Sequence, residues 1–255
     1  MQQLPTRKIF DYRIVDASLT QCVAAITHVI RSGERRRWLA CINPHSVAVA
    51  EHTPKFRAAL KAADWLIPDG VGIMLAAQLL RQPLRSRITG PSLFFELNQH
   101  LNEQGSGRVF FLGSTQPTLD AIRRQFVRQY PYLEIVGTYS PPFKSVFSAG
   151  DNERMIASVN AAAPDALWVG LTSPKQDLWL HDHIDRLDVA FAAGVGAAFD
   201  FFTEAVKLPH PVVQKLGLTW LTRLVQEPRR LWRRTLISGP QFAWLIFKHV
   251  SNRDQ

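Results

Sequence analysis

Short apolar runs alternate along the chain with longer stretches in which apolar residues recur every three or four positions. The runs at 38–42, 65–67, 109–112, 133–136, 166–171 and 189–193 each end near Gly, Pro or a small polar residue, and predict strands. The stretches at 19–30, 71–80, 93–101, 118–126 and 155–162 have the spacing of amphipathic helices. Repeated alternation of strand and helix predicts an α/β fold with a Rossmann-like parallel sheet flanked by helices. In such a sheet, ligands bind at the carboxyl ends of the strands, where loops and helix N-termini converge. Asn43, Asp69 and Gly70, Gly113 and Ser114, Lys175 and Gln176, and Gly196 all fall at those ends.

Beyond about residue 205 the pattern changes. Lys207, Lys215, Arg223, Arg229, Arg230, Arg233, Arg234, Lys248 and Arg253 face only Glu227 and Asp254. Leu216, Trp220, Leu224, Leu231, Trp232, Trp244 and Phe247 are interleaved at largely helical intervals, as in helices that lie on anionic lipid or on a parent domain. Pro209, Pro211, Pro228 and Pro240 divide this stretch into about three helices. The expected organisation is a catalytic core over 1–204 and a basic, helical, membrane-docking appendage over 205–255.

With 255 residues, 46% of them hydrophobic, the chain can bury a substantial core. The formal charge of +9 calls for anionic partners: nucleic acid, an acidic membrane surface or phosphorylated small molecules. The only cysteines, Cys22 and Cys41, have neither metal-ligand nor disulfide spacing and read as packed thiols in a reducing cytoplasm. The first ten residues hold no apolar run long enough for a signal peptide, and 242–250 is too short to span a bilayer. Membrane contact is therefore expected to be peripheral.

Several segments can carry chemistry. The run 109–115 is a strand ending in Gly113, Ser114 and Thr115 before a helix, where backbone amides can hold a diphosphate or simply make a turn. Asp69 in Pro68-Asp69-Gly70 is either a helix cap or a carboxylate exposed at a strand end for acid–base work. Ser173-Pro174-Lys175-Gln176-Asp177 offers a helix start, a cation and an amide able to read a uracil or sugar edge, or else a capped surface helix. His181, Asp182, His183 and Asp185 have the composition of a metal cluster, but consecutive helical positions point to different faces. Neither a dinucleotide G-x-G-x-x-G nor a G-x-S-x-G elbow occurs, and a Cys41 and His45 pair four residues apart argues little for thiol catalysis.

Taken in order, the segments Ile42-Asn43-Pro44-His45-Ser46, 63–72, Arg87-Ile88-Thr89-Gly90, 170–177 and 194–201, with the tail 220–234, resemble the WecG/TagA/CpsF family, glycosyltransferase family twenty-six, along nearly the whole chain. The resemblance implies an inverting enzyme that moves a sugar from a UDP-sugar to a polyprenyl-diphosphate-linked glycan. No cofactor and no metal are implied, and the enzyme would work at the inner face of the cell membrane. It implies Asp69 as the base, Asn43 orienting sugar or acceptor, Arg87 on phosphate and Gln176 on the donor. His45, Gly70, Gly113, Ser114, Lys175 and Gly196 would line the substrate site. Arg223, Arg230 and Arg233 would neutralise the UDP leaving group, the task a metal performs in other transferases. Cys41 stands where related sequences often carry Thr, and His45-Ser46 replaces a commoner acidic pair; the second departure points toward glucose as donor sugar and an exopolysaccharide pathway. N-acetylmannosamine or its uronic acid is the alternative within the family. A nucleic-acid-binding protein built on the basic tail and a nonenzymatic membrane scaffold are the alternatives from other classes.

Overall fold

The structure, a computed structural model, describes residues 4–206, 210, 213, 219–226, 232 and 236–251. Six strands form one parallel sheet. In chain order, after the hairpin β1 (Thr6–Ile9) and β2 (Tyr12–Val15), they are β3 (Arg37–Ile42), β4 (Trp65–Pro68), β5 (Arg108–Gly113), β6 (Glu134–Tyr139), β7 (Ala166–Gly170) and β8 (Phe191–Gly194). The order across the sheet is β4-β3-β8-β7-β5-β6. From β3 the chain moves outward to β4 and from β5 outward to β6, in opposite directions. The crevice between such diverging connections is where open α/β sheets place ligands.

The helices are α1 (Leu19–Ser32), α2 (Pro44–His52), α3 (Pro54–Ala62), α4 (Val71–Leu79), α5 (Gly90–Glu103), α6 (Gln116–Gln129), α7 (Ala149–Ala162), α8 (Lys175–His183) and α9 (Ala198–Phe202). Beyond them α10 (Thr219–Gln226) and α11 (Ser238–Ser251) are described. The strand runs are uninterrupted because both faces are covered. Trp38, Ala40 and Ile42 of β3 point into a core shared with α2, α3, α4, α7 and α8, whereas Leu39 points into another shared with α1, α5, α6 and α9. At the centre of the second core Phe94 packs edge-on against Trp168 and Phe202, with ring centroids 5.0 and 5.4 Å away.

Each of the expected strands and helices has a counterpart, with shifted ends. The β1–β2 hairpin, α2, α3 and α9 are additional. Pro44 and Pro54 are the first residues of α2 and α3, where a missing N–H costs nothing. The hairpin has a positioning role. Asp16, just past β2 and nearly buried, accepts from Arg7 Nε at 2.9 Å and from the Arg85 amide at 2.7 Å. Ser86 Oγ donates to the Ala17 carbonyl at 2.8 Å. These bonds fix the segment that presents Arg87.

The last helix is built into the same structure. Phe242 and Ile246 of α11 are buried in the first core, Phe242 meets Phe10 edge-on, and Gly72 of α4 lies against both Pro44 and Phe242. Among the described residues no helix is long and apolar enough to cross a membrane.

Candidate active site

The candidate residues gather where the carboxyl ends of the strands meet. The Asp69 amide donates to the Ile42 carbonyl at 2.8 Å, extending the β3–β4 ladder by one bond and setting Asp69 beside Asn43. The Ile88 amide donates to the Pro68 carbonyl at 3.1 Å, which brings the Arg87 segment alongside.

The cap of α4 is Gly70, with φ of 94° and no side-chain cap bond, so Asp69 is not the helix cap. A φ this positive disfavours any residue with a Cβ. The chain turns sharply at Gly70, and the carboxylate stays at the strand end. Asn43 does serve as a cap. Its Oδ1 accepts from the Ser46 amide at 3.0 Å, and Ser46 Oγ accepts from the Asn43 amide at 2.7 Å. Capping uses the oxygen of the amide and leaves the NH2 donors for another partner.

Left-handed backbone recurs along this edge: Gly70 after β4, Gly113 and Ser114 at β5, Thr172 after β7 and Gly196 after β8. For Ser114 and Thr172, with φ of 63° each, the conformation costs on the order of 1–3 kcal/mol, a load that concentrates at functional edges. Gly113 has φ of 107°, and a Cβ there would meet the Gly170 carbonyl carbon at 2.9 Å. The Ser114 amide donates to the Gly170 carbonyl, and Thr115 caps α6 through the Thr118 amide. The β5–α6 turn therefore ends at a helix N-terminus with its orphan amides and positive dipole.

Gln176, in the first turn of α8, crosses to β8. Its Oε1 accepts from the Gly196 amide at 3.2 Å, and its side chain fills the space a Cβ on Gly194 would need. Lys175 turns elsewhere: Nζ donates to the Lys144 carbonyl at 2.7 Å and sits 4.8 Å from the Phe147 ring centroid, and burial lowers its pKa. It ties the loop after β6 to α8. His45, in the first turn of α2, shares a 2.8 Å hydrogen bond between Nδ1 and Ser238 Oγ at the start of α11. The backbone of Arg223 falls in α10; its side chain, Arg230 and Arg233 lie outside the described residues.

One group escaped the sequence reading, and another was read there only as a packed thiol. Asp177 is 1% exposed, and neither carboxylate oxygen has a hydrogen bond of normal geometry. Burial pushes its pKa up to about 7, offset only in part by nearby Ser173 and the residue's own amide. The Cys41 thiol lies 3.7 Å from the Gly194 carbonyl, and burial, with the charges of Asp69 and Asp177 adding to it, holds its pKa well above the usual thiol value. Cys41 thus stays a neutral thiol that feels both carboxylates. An unpaired carboxylate beside a Gln is not distinguishable in sequence from an Asp that favours a helix N-terminus.

The residues of the acidic and histidine cluster are engaged with other groups. Asp182 pairs with Lys55 at 2.6 Å and with His181 at 3.2 Å, and the His183 ring packs on Trp179. Among the described residues no group of three His, Cys, Asp or Glu could hold a metal ion. A recess of about 470 Å³ lined by Ala121, Arg124, Gln125, Arg128, Thr203 and Glu204 lies on the flank of α6 and includes none of the candidate residues.

Comparison with known proteins gives relatives along most of the chain. A Bacillus spizizenii protein is 30% identical over 246 residues, covering 96% of this chain and 92% of the relative. A Bacillus subtilis protein is 25% identical over 250 residues, covering 98% and 94%. A Staphylococcus aureus protein is 27% identical over 213 residues, covering 83% and 80%. All three are named N-acetylglucosaminyldiphosphoundecaprenol N-acetyl-beta-D-mannosaminyltransferase. The family model of the glycosyl transferase WecG/TagA/CpsF family matches residues 7–255, and the chain belongs to that family.

Proposed function

We propose that this glycosyltransferase moves N-acetylmannosamine from a UDP-linked donor to N-acetylglucosaminyl-diphosphoundecaprenol, with inversion, at the cytoplasmic face of the membrane. What carries the sugar assignment is the name shared by relatives that align over most of the chain. The glucose expected from His45-Ser46 is given up, since none of these relatives is named for it. His45 is also engaged with Ser238 of α11, so its identity answers to helix packing as well as to substrate.

In the proposed reaction Asp69 takes the proton of the acceptor hydroxyl as that oxygen bonds to the anomeric carbon. The bond from that carbon to the UDP oxygen breaks on the opposite face, and UDP leaves with the electron pair. A single displacement on an α-linked donor yields the β-linkage. Asn43 supplies its free amide donors to the sugar or acceptor, Arg87 meets phosphate, and Gln176, held on Gly196, reads the donor. Gly113 and Ser114 at the α6 N-terminus, and Gly70 and His45 at the other end of the row of strand ends, complete the substrate walls, while Lys175 braces the loop after β6 and does not face the substrate. Arg223, Arg230 and Arg233 offset the charge on departing UDP, so no metal or other cofactor is required.

The deciding experiment offers purified enzyme UDP-N-acetylmannosamine and UDP-glucose in competition, with a short-chain polyprenyl-diphosphate N-acetylglucosamine acceptor and mass analysis of product. Addition of N-acetylmannosamine, undiminished by EDTA, is expected. Preferential addition of glucose refutes the sugar assignment, and loss of product with EDTA refutes metal independence.

A further inference from the structure

The helix that leaves the candidate base carries an apolar stripe on the outside of the protein. Ile73, Ala76 and Ala77 of α4 are buried toward the sheet. Val71, Leu75 and Leu79 are 42%, 53% and 51% exposed. Their spacing of four stacks them along one helix face, so they form a continuous stripe and not scattered surface residues. The adjacent charge is of one sign: from 70 to 95 the chain holds no Asp or Glu, while Arg81, Arg85 and Arg87 follow the helix, the first two exposed.

We propose that the outer face of α4, together with Arg81 and Arg85, is a docking surface for an anionic phospholipid bilayer, distinct from the basic C-terminal segment. Leucines enter the boundary between headgroups and acyl chains, and the arginines meet lipid phosphates. Asp69 lies two residues before the first residue of α4, so the face that touches lipid and the group that would deprotonate a lipid-linked acceptor are joined by one turn of chain. The proposal rests on the transferase reading to that extent. A second copy of the chain fits the stripe less well. Three half-exposed side chains offer far less than the roughly 800 Å² per partner of a stable interface, and the arginines would face their own kind.

The test is flotation of the full chain with vesicles of phosphatidylethanolamine and phosphatidylglycerol, compared with phosphatidylcholine alone. The pair Leu75→Glu with Leu79→Glu is expected to lower partition into the anionic vesicles on the order of tenfold, and Arg81→Gln with Arg85→Gln to lower it several-fold and flatten its salt dependence. Circular dichroism and transfer to a water-soluble short-chain acceptor should stay as in the parent. If the leucine pair misfolds, the exposed arginine pair still decides. Unchanged partition of both double variants overturns the proposal. So does a dimer that the leucine variant dissociates while flotation is unaffected, which would give the stripe to a second copy. Flotation reads no product, so a protein that docks through α4 without transferring sugar sinks the proposed function and leaves this inference standing.

Discussion

Replacing Asp177 by Asn isolates the energetic consequence of an unpaired carboxylate in the core. The group goes from an ordinary 3.8 to about 7 in the fold. Between those values the native state holds a proton that the unfolded chain has released, so stability falls as pH rises. This contribution is fully present below about 4, is lost progressively toward about 7, and is gone above it. From pH 5 to the folded value is about two units, or roughly 3 kcal/mol at about 1.36 kcal/mol per unit. Relaxation of the site makes that an upper figure. The amide of Asn also sits unpaired, at a cost of about 1–3 kcal/mol that does not depend on pH. Urea unfolding of parent and variant, followed by tryptophan fluorescence from pH about 5 to about 8, cancels that constant cost. The stability difference should shift toward the variant by about 2–3 kcal/mol across the range. A difference that stays constant with pH refutes the buried, unpaired assignment.

Asp69→Asn should cut the transfer rate by about 10²–10⁴-fold, the usual worth of a general base, while leaving the fold and UDP affinity nearly unchanged; single-turnover rates and calorimetry with UDP measure the two effects, and an active variant removes Asp69 as the base. Phe94→Ala deletes the ring at the centre of the second core and should destabilise by about 3–5 kcal/mol in denaturant unfolding; a loss below about 1 kcal/mol would mean that the Trp168 and Phe202 rings collapse into the space. Gly113→Ala forces a Cβ onto the Gly170 carbonyl at a left-handed φ, and should weaken UDP binding along with stability; binding at parental affinity would show that the β5–α6 turn does not hold the nucleotide.

The sheet was legible because its strands are packed on both sides, which leaves no polar interruption in runs such as Val109 to Leu112. Ends were less so. Val189 and Ala190 belong to the apolar run, but their carbonyls accept from the Arg36 and Arg37 amides before β8 begins at Phe191. The hairpin escaped because four-residue strands containing Arg7, Lys8 and Arg13 carry too little pattern. In the site, side chains at strand ends were visible as residue types, whereas their commitments were not. Asp69 and Asn43 are interchangeable as caps on paper; only the left-handed Gly70 decides that Asn43 caps and Asp69 does not. Lys175 reads as a cation facing substrate, yet its ammonium is held by a carbonyl 31 positions earlier in the chain. Burial without a partner, the property that sets Asp177 apart, depends on every neighbour at once and has no local signature.

The seat of α11 changes how deletions of the C-terminal segment are to be interpreted. Phe242 closes a seam formed by Phe10, Pro44 and Gly72, and Ser238 holds His45, next to the turn that presents Asn43 and behind the one that presents Asp69. Cutting the chain at 205 removes the arginines, and it also strips Phe242 and Ile246 from the first core. Loss of transfer in such a shortened form therefore cannot be credited to the arginines alone. A form that keeps 236–251 on a flexible linker separates the two contributions, because it restores these core residues without restoring any arginine.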